Sequence, residues 1–247
     1  MTLDACAELL RRGDADRFAA AMAAPAQHRA RLLPLYAFNL EVARAPWVSK
    51  EPMIAEMRLQ WWRDVVAEPQ PRAHEVAGPF HTVIRQAALP LAVIDRLIAA
   101  RLHDAWGEPF ADMAAFDAYL NDTAGGLMWL ASTACGGTDE VAARHLGWAQ
   151  GVANYLRAVP ELEARGRFPL PDGRPEALRK LAEHGLERLR QARTGKVAPA
   201  AALAAWQTAR LLKLAARDPA AVAEGRLELS EFAKRGGLLW QAMTGRY

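Results

Sequence analysis

Gly147-Trp-Ala-Gln-Gly-Val-Ala-Asn-Tyr-Leu-Arg-Ala-Val-Pro-Glu-Leu-Glu-Ala-Arg-Gly-Arg-Phe-Pro-Leu-Pro171 is the stretch on which the reading of this chain turns. Its first half is apolar at helical spacing and sets Gln150, Asn154 and Arg157 at i, i+4 and i+7, on one face. Pro160 has no backbone N–H and is expected to close that helix. A charged loop with Arg165, Gly166 and Arg167 then leads into Phe168-Pro-Leu-Pro171. Three polar side chains aimed one way along an apolar helix need partners or water, and so predict a cavity. What the cavity does depends on whether carboxylates face it.

Outward from this stretch, every segment reads as helix, and no strand-like alternation of useful length appears. Residues 2–12 form a short helix that Gly13 stops, and Asp14 or Asp16 caps the next one. Pro25 breaks that second helix. A longer helix covers about 27–44, with Pro34 expected to bend or restart it. Ser49 is placed as N-cap of a helix over 52–67, and 69–79 is a loop. Further helices are expected near 79–88, 90–106, 112–135, 139–158, 175–193, 199–216 and 228–243. No fixed-period repeat or compositional shift marks a second domain. The expectation is one all-α domain, 1–247, of about ten helices around a central cavity.

Composition agrees with that class and removes several functions. The chain has 247 residues, 52% of them apolar, with eight tryptophans and long enough to bury a sizeable core. A net charge of +3 with scattered Lys and Arg is a solvated surface and not a nucleic-acid footprint. Cys6 and Cys135 form no CxxC pair and read as free thiols in a reducing compartment. Residues 1–20 carry Asp4, Asp14 and Asp16 and read as no secretory signal. No run of about 20 apolar residues spans a membrane. These features point to the cytoplasm, with any membrane contact peripheral and on the inner face of the cell membrane.

Chemical motifs are sparse. There is no phosphate-binding Gly-rich loop, HExxH, G-x-S-x-G or cysteine–histidine pattern, and the six histidines show no ligand spacing. Two regions stand out beside the opening stretch: Leu35-Tyr-Ala-Phe-Asn-Leu-Glu-Val-Ala-Arg44 and Ala55-Glu-Met-Arg-Leu-Gln-Trp-Trp-Arg63. Alone, Tyr36, Phe38, Trp61 and Trp62 read as core aromatics. Asn39, Glu41 and Arg44 are polar residues on an apolar helix, either its wet face or a site.

Together these stretches resemble the squalene/phytoene synthase superfamily. Tyr36-Ala37-Phe38 is similar to that family's Tyr-Ala-Phe signature, and Arg58-Leu-Gln-Trp-Trp62 to its Trp-bearing helix. Tyr119 with Thr123-Ala-Gly125 is similar to its Tyr…Ala-Gly segment. Asn154-Tyr-Leu-Arg157 with Gly166-Arg167…Leu170-Pro171 resembles its Asn-x-x-Arg-Asp…Gly-Arg-x-x-Leu-Pro signature. The resemblance implies an isoprenoid-synthase bundle and a chemistry that ionises allylic diphosphates on Mg²⁺ held between two aspartate-rich motifs.

The departures fall on those motifs. Where Tyr-Ala-Phe should be followed by Cys-Arg and paired aspartates, the chain has Asn39, Leu40, Glu41, Val42, Ala43 and Arg44. The acid expected after Arg157 is Ala158, and the expected Glu-Asp pair is Glu161-Leu162. Mg²⁺ needs clustered carboxylate oxygens, so the resemblance without its acids implies no Mg²⁺ and no other cofactor. A narrower resemblance fits: the branch of this family that contains the mitochondrial assembly factor for respiratory complex I, where the aspartate motifs are lost. It implies a non-catalytic accessory role, complex I subunits or assembly intermediates as partners, and a cavity free to hold an isoprenoid or another lipid. The expected cavity residues are Tyr36, Asn39, Glu41, Arg44, Tyr119, Gln150, Asn154 and Arg157. The alternative is an active head-to-head prenyl-diphosphate transferase in which Glu41, Glu161 and Glu163 converge on Mg²⁺. A third reading places Ala202–Ala216, with Leu203, Trp206, Leu211 and Leu212 beside Arg210 and Lys213, at a membrane interface or inside the bundle. Leu238-Leu-Trp240 shares that ambiguity.

Overall fold

The order of elements follows the caps and breakers of the chain closely. The computed structural model describes residues 3–49, 51–245 and 247; Thr2, the expected start of the first helix, lies outside them. Among the described residues there is no strand, and twelve helices of eight residues or more form the bundle. They are α1 (Leu3–Gly13), α2 (Ala15–Ala23), α3 (Ala26–Arg44), α4 (Pro52–Ala67), α5 (Ala77–Gln86), α6 (Leu91–Trp106), α7 (Met113–Leu120), α8 (Gly126–Ala134), α9 (Glu140–Ala164) and α10 (Pro175–Ala192). After these come the four-residue α11 (Pro199–Ala202), then α12 (Thr208–Arg217), the four-residue α13 (Ala220–Ala223) and α14 (Glu231–Thr244).

Side-chain caps explain several starts. Asp14, Asp112, Asp139 and Ser230 each accept a backbone N–H from the first turn of α2, α7, α9 and α14. Ser49 does not cap α4: Glu51 holds the N-cap position, and Ser49 Oγ accepts from Glu51 N at 3.1 Å in the turn before it. Gly13 does not stop α1 but forms its last residue. The 69–79 loop is shorter than expected, because α5 starts at Ala77.

Neither internal proline ends its helix. Pro34 sits within α3 and Pro160 within α9. A proline removes one ladder hydrogen bond, while the flanking turns bury Leu32, Leu33, Leu35 and Phe38 in α3 and Leu156 and Val159 in α9. Burial of each such side chain contributes about 1.5–3 kcal/mol, which outweighs the missing bond. α9 ends one turn later at Arg165. Gly166 (φ +75°) takes the left-handed conformation, Gly166 N donates to Glu163 O and Arg167 N to Leu162 O, a Schellman stop.

α9 is the axis of the bundle, packed by α8, α10, α12 and α13. Its Gly147 and Gly151 face the helix that joins α7 to α8, which widens into a π-turn over Asn121–Gly125. A Cβ at Gly147 would meet the Ala124 carbonyl oxygen at 2.4 Å, so only glycine permits this approach. Arg144 Nη1 caps the loosened Asn121 carbonyl at 3.1 Å. The π-turn is the Thr123-Ala-Gly125 motif itself. On the other side of the core, Phe38 stacks on Phe80 (4.1 Å) and meets Trp62 edge-on (5.2 Å), the core role expected of Phe38 and Trp62.

Residues 199–217 are not one helix. A 3₁₀ turn at Leu203–Ala205 separates α11 from α12. Leu203, Ala205, Leu211, Leu212 and Ala215 are buried in the bundle, so the apolar side of 202–216 faces the core and not a membrane interface.

Candidate functional site

α9 carries the polar face that the i, i+4, i+7 spacing requires. Gln150, Asn154 and Arg157 line one cavity lobe of about 420 Å³ with Asp14, Asp16, Arg17, Gln207 and Thr208. A second lobe of about 240 Å³ is lined by Arg17, Asn39, Arg101, Asp104, Tyr119, Asn154 and Tyr155. Arg17, Asn154 and Ala158 belong to both lobes. Gln150 is anchored by donating from Nε2 to Ala204 O at 2.6 Å. Tyr119 reaches the second lobe from the last turn before the π-segment, and Thr123 Oγ1 back-bonds to Tyr119 O at 2.6 Å.

Each carboxylate at this cavity is held by an arginine. Asp16 Oδ2 accepts from Arg157 Nη1 at 3.0 Å. Asp14 caps α2 and pairs with Arg17 Nη1. Asp104 accepts from Arg101 Nη1 at 3.0 Å and from the Tyr119 hydroxyl at 2.8 Å, while Arg101 also donates to Tyr119 Oη at 2.6 Å. Burial drives the Tyr119 pKa well above the usual phenol range, so the hydroxyl stays a donor. Burial opposes the Arg101 charge, but the Tyr119 and Asp104 oxygens hold its pKa above the ordinary guanidinium value. Arg17 Nε and Gln207 Oε1 are buried without a protein partner among the described residues.

The loop after α9 closes one end. Arg167 lies over Gly107 (φ +69°), donates to Asp104 O at 3.2 Å and faces the Trp47 ring at 5.4 Å. Arg165 covers the same ring at 4.9 Å. The Gly166-Arg167 motif is therefore a helix stop followed by a clamp beside the second lobe.

Other expected site residues lie elsewhere. Tyr36 is a core residue, its hydroxyl buried without a partner among the described residues and its pKa raised by burial. Glu41 points to the other side of α3, into a separate pocket with Arg58, Trp61, Trp62 and His74. Two residues apart on a helix, Asn39 and Glu41 cannot share a face. Arg44 is exposed and rests over Gly13. Glu161 is on the exterior with Arg165, and Glu163 edges a different pocket of about 460 Å³ with Phe168 and Leu170. The three glutamates of the transferase alternative thus face three separate places.

Ala43, Ala158 and Leu162 all line the second lobe. Three positions in the segments where the family resemblance implies acids thus face the cavity with apolar side chains, while Arg44, the cation in the first of these segments, lies exposed outside it. The donor set does not fit a Mg²⁺–diphosphate cluster: the nearby aspartates are few, divided between lobes and committed to guanidiniums. Arg17, Arg101 and Asp104 were not among the expected site residues. The Asp14-x-x-Arg17 and Arg101-x-x-Asp104 spacings are the local signals for them.

Comparison with known proteins gives the following. The squalene/phytoene synthase family model matches residues 10–174. NADH dehydrogenase (ubiquinone) complex I, assembly factor 6 of Mus musculus is 29% identical over 172 residues, covering 67% of this chain and 52% of that protein. The Homo sapiens protein of that name is 27% identical over 172 residues with the same coverage. The Drosophila melanogaster homolog is 31% identical over 180 residues, 66% of this chain and 52% of the fly protein. The chain spans about half the length of the curated relatives it matches. A dehydrosqualene synthase crystallised with ligand superposes with a TM-score of 0.79 at 14% identity, over 96% of this chain and 94% of that one. That likeness establishes the isoprenoid-synthase fold.

Proposed function

The chain belongs to the squalene/phytoene synthase family, and from that premise we propose that it is a non-catalytic member acting as an accessory factor in assembling a complex I-type NADH:ubiquinone oxidoreductase. The observation that carries the proposal is the charge state of the cavity wall. Ala43, Ala158 and Leu162 face the space where carboxylates would hold a metal, and Asp14, Asp16 and Asp104 are each neutralised by an arginine. A divalent ion would have to displace a guanidinium to reach any of them, and would then find at most two carboxylates in the first lobe and one in the second. The names of the curated relatives support the assembly role and suggest complex I subunits or assembly intermediates as partners. The second lobe mixes polar side chains, such as Asn39 and Asn154, with apolar ones, such as Leu120 and Leu162, which suits an isoprenoid or other lipid with a small polar head. We place this activity in the cytoplasm; among the described residues no helix is long and apolar enough to cross a membrane.

Two measurements test the reading. Deleting the gene should lower NADH:ubiquinone activity in isolated membranes and leave carotenoid and hopanoid content unchanged. Purified protein with Mg²⁺ and farnesyl or geranylgeranyl diphosphate should release no pyrophosphate. Release at enzymatic turnover, or loss of isoprenoid products in the deletion, would overturn it.

A further inference from the structure

α14 wears its apolar side outward. Phe232, Leu239 and Met243 fall at i, i+7 and i+11 on one face and are 90%, 62% and 77% exposed, with Trp240 beside them at 61%. The opposite face holds the helix to the bundle through small and polar groups. Gly237 sits against Trp206, Arg210 Nη1 donates to Ala233 O at 3.0 Å, and Gln241 Nε2 donates to Ala202 O at 2.7 Å. A helix that only covered the bundle would show the reverse arrangement.

Charge indicates what covers this face. Between residues 193 and 247 nine Lys and Arg stand against four Asp and Glu, whereas the whole chain nets only +3. Arg210, Lys213 and Arg217 share the outer face of α12 at i, i+3 and i+7, and Arg210 is the residue that touches α14. Glu231 is taken by Lys234, and Asp218 and Glu224 by Arg226. Lys213, Arg217 and Arg235 make no ion pair among the described residues. A second copy of the chain would bring like charges together across the contact. An anionic bilayer matches both features, because aromatic and aliphatic side chains enter the headgroup region while flanking cations meet lipid phosphates.

We propose that α14 docks this chain on an anionic membrane surface, inserting Phe232, Leu239, Trp240 and Met243, with Lys213, Arg217 and Arg235 in the headgroup layer. The proposal rests on the surface and not on the cavity or the assembly role, so either can fail alone. The test is co-sedimentation of the full chain with vesicles of phosphatidylglycerol and phosphatidylcholine against phosphatidylcholine alone. Binding should be at least tenfold stronger on the anionic vesicles and fall steeply from 50 to 500 mM salt. Phe232→Ser/Leu239→Ser/Met243→Ser should lose at least tenfold in affinity with unchanged melting temperature. Lys213→Glu/Arg217→Glu/Arg235→Glu, which alters only exposed charge, should erase the preference for anionic lipid and decides the matter if the serine variant fails to fold. No binding by the parent chain, or undiminished binding by the charge variant, overturns the proposal. So does a concentration-dependent dimer that the serine substitutions abolish while vesicle binding persists.

Discussion

Replacing Arg101 with methionine should destabilise the protein by about 3 kcal/mol, and restoring charge balance should recover most of the loss. Arg101 and Asp104 are 17% and 12% exposed, with Nη1 and Oδ2 3.0 Å apart. With charge centres roughly 4 Å apart and an effective dielectric near 20, their attraction is about 4 kcal/mol. Removing two charges from water consumes much of that, so the intact pair adds little net stability. The single variant is different. Arg101→Met leaves Asp104 buried and without its cation, and breaking a buried pair this way costs about 3–5 kcal/mol. The lower end applies, because the Tyr119 hydroxyl still donates to Asp104. Asp104→Asn should cost a similar amount, by stranding the guanidinium.

The double variant Arg101→Met/Asp104→Asn buries no charge. Its loss should be about 1 kcal/mol, smaller than either single loss and far short of their sum, because the intact pair adds little net stability. The assay is urea unfolding followed by tryptophan fluorescence, reading midpoint shifts at constant slope. Additive losses, or a single-variant loss below about 0.5 kcal/mol, the range of ordinary surface substitutions, would refute the account of a neutralised cavity wall.

Further outcomes follow from glycine positions and from the buried thiols. Gly147→Ala should destabilise by about 1–3 kcal/mol in the same assay, since its Cβ would press on the Ala124 carbonyl and force an overpacked shift. Gly236→Ala on α14, with nothing within 4 Å, should instead stabilise by about 0.5–1 kcal/mol. Gly107→Ala should cost about 1–2 kcal/mol for a left-handed alanine, and by evicting Arg167 should expose the 165–171 segment to trypsin. Burial lifts the Cys6 thiol to about 11 and the Cys135 thiol to about 12. Both should therefore resist a thiol-specific disulfide reagent at pH 8 until urea unfolds the chain. Because these folded values lie above the ordinary thiol value, the stability they contribute is complete below pH 9 and drains away as pH rises toward 11–12. Melting temperature should be level from pH 7 to 8.5 and fall above 9, less steeply in Cys135→Ala; a rise across that window would contradict the burial of both thiols.

Helix phase explains which site residues were legible. Gln150, Asn154 and Arg157 keep the 3.6-residue period, and they share a cavity lobe. Glu41 breaks that period relative to Asn39, and it faces a different pocket. Its position two residues from Asn39 already contained that outcome. Pro160 misled because local backbone preference says nothing about how much apolar surface the neighbouring turns bury. Arg17 and Arg101 were hidden for another reason. Both sit near a carboxylate in sequence, Asp14 and Asp104, and on a surface helix such a spacing is an ordinary exposed ion pair. Only the approach of α9 to α2 and α6 turns those pairs into cavity wall. The outward face of α14 was equally undetermined, since Leu238-Leu-Trp240 has the same composition whether it points in or out.

The features that shape the cavity are separate from those that would give it metal chemistry. Its backbone is set by Gly147 and Gly151 against the π-turn, by the Schellman stop at Gly166 and by Arg167 clamped over Gly107. None of these depends on what residues 43, 158 and 162 carry. Ala43, Ala158 and Leu162 leave their part of the wall without charge while the backbone stays as those contacts set it. The remaining aspartates would then be isolated charges in a half-dry cavity, a costly state. Pairing them with Arg157, Arg17 and Arg101 resolves that cost and at the same time blocks a cation's approach. A fold that needs its polar cavity for docking or ligand retention can persist on these terms, and one that needs two facing sets of carboxylates cannot.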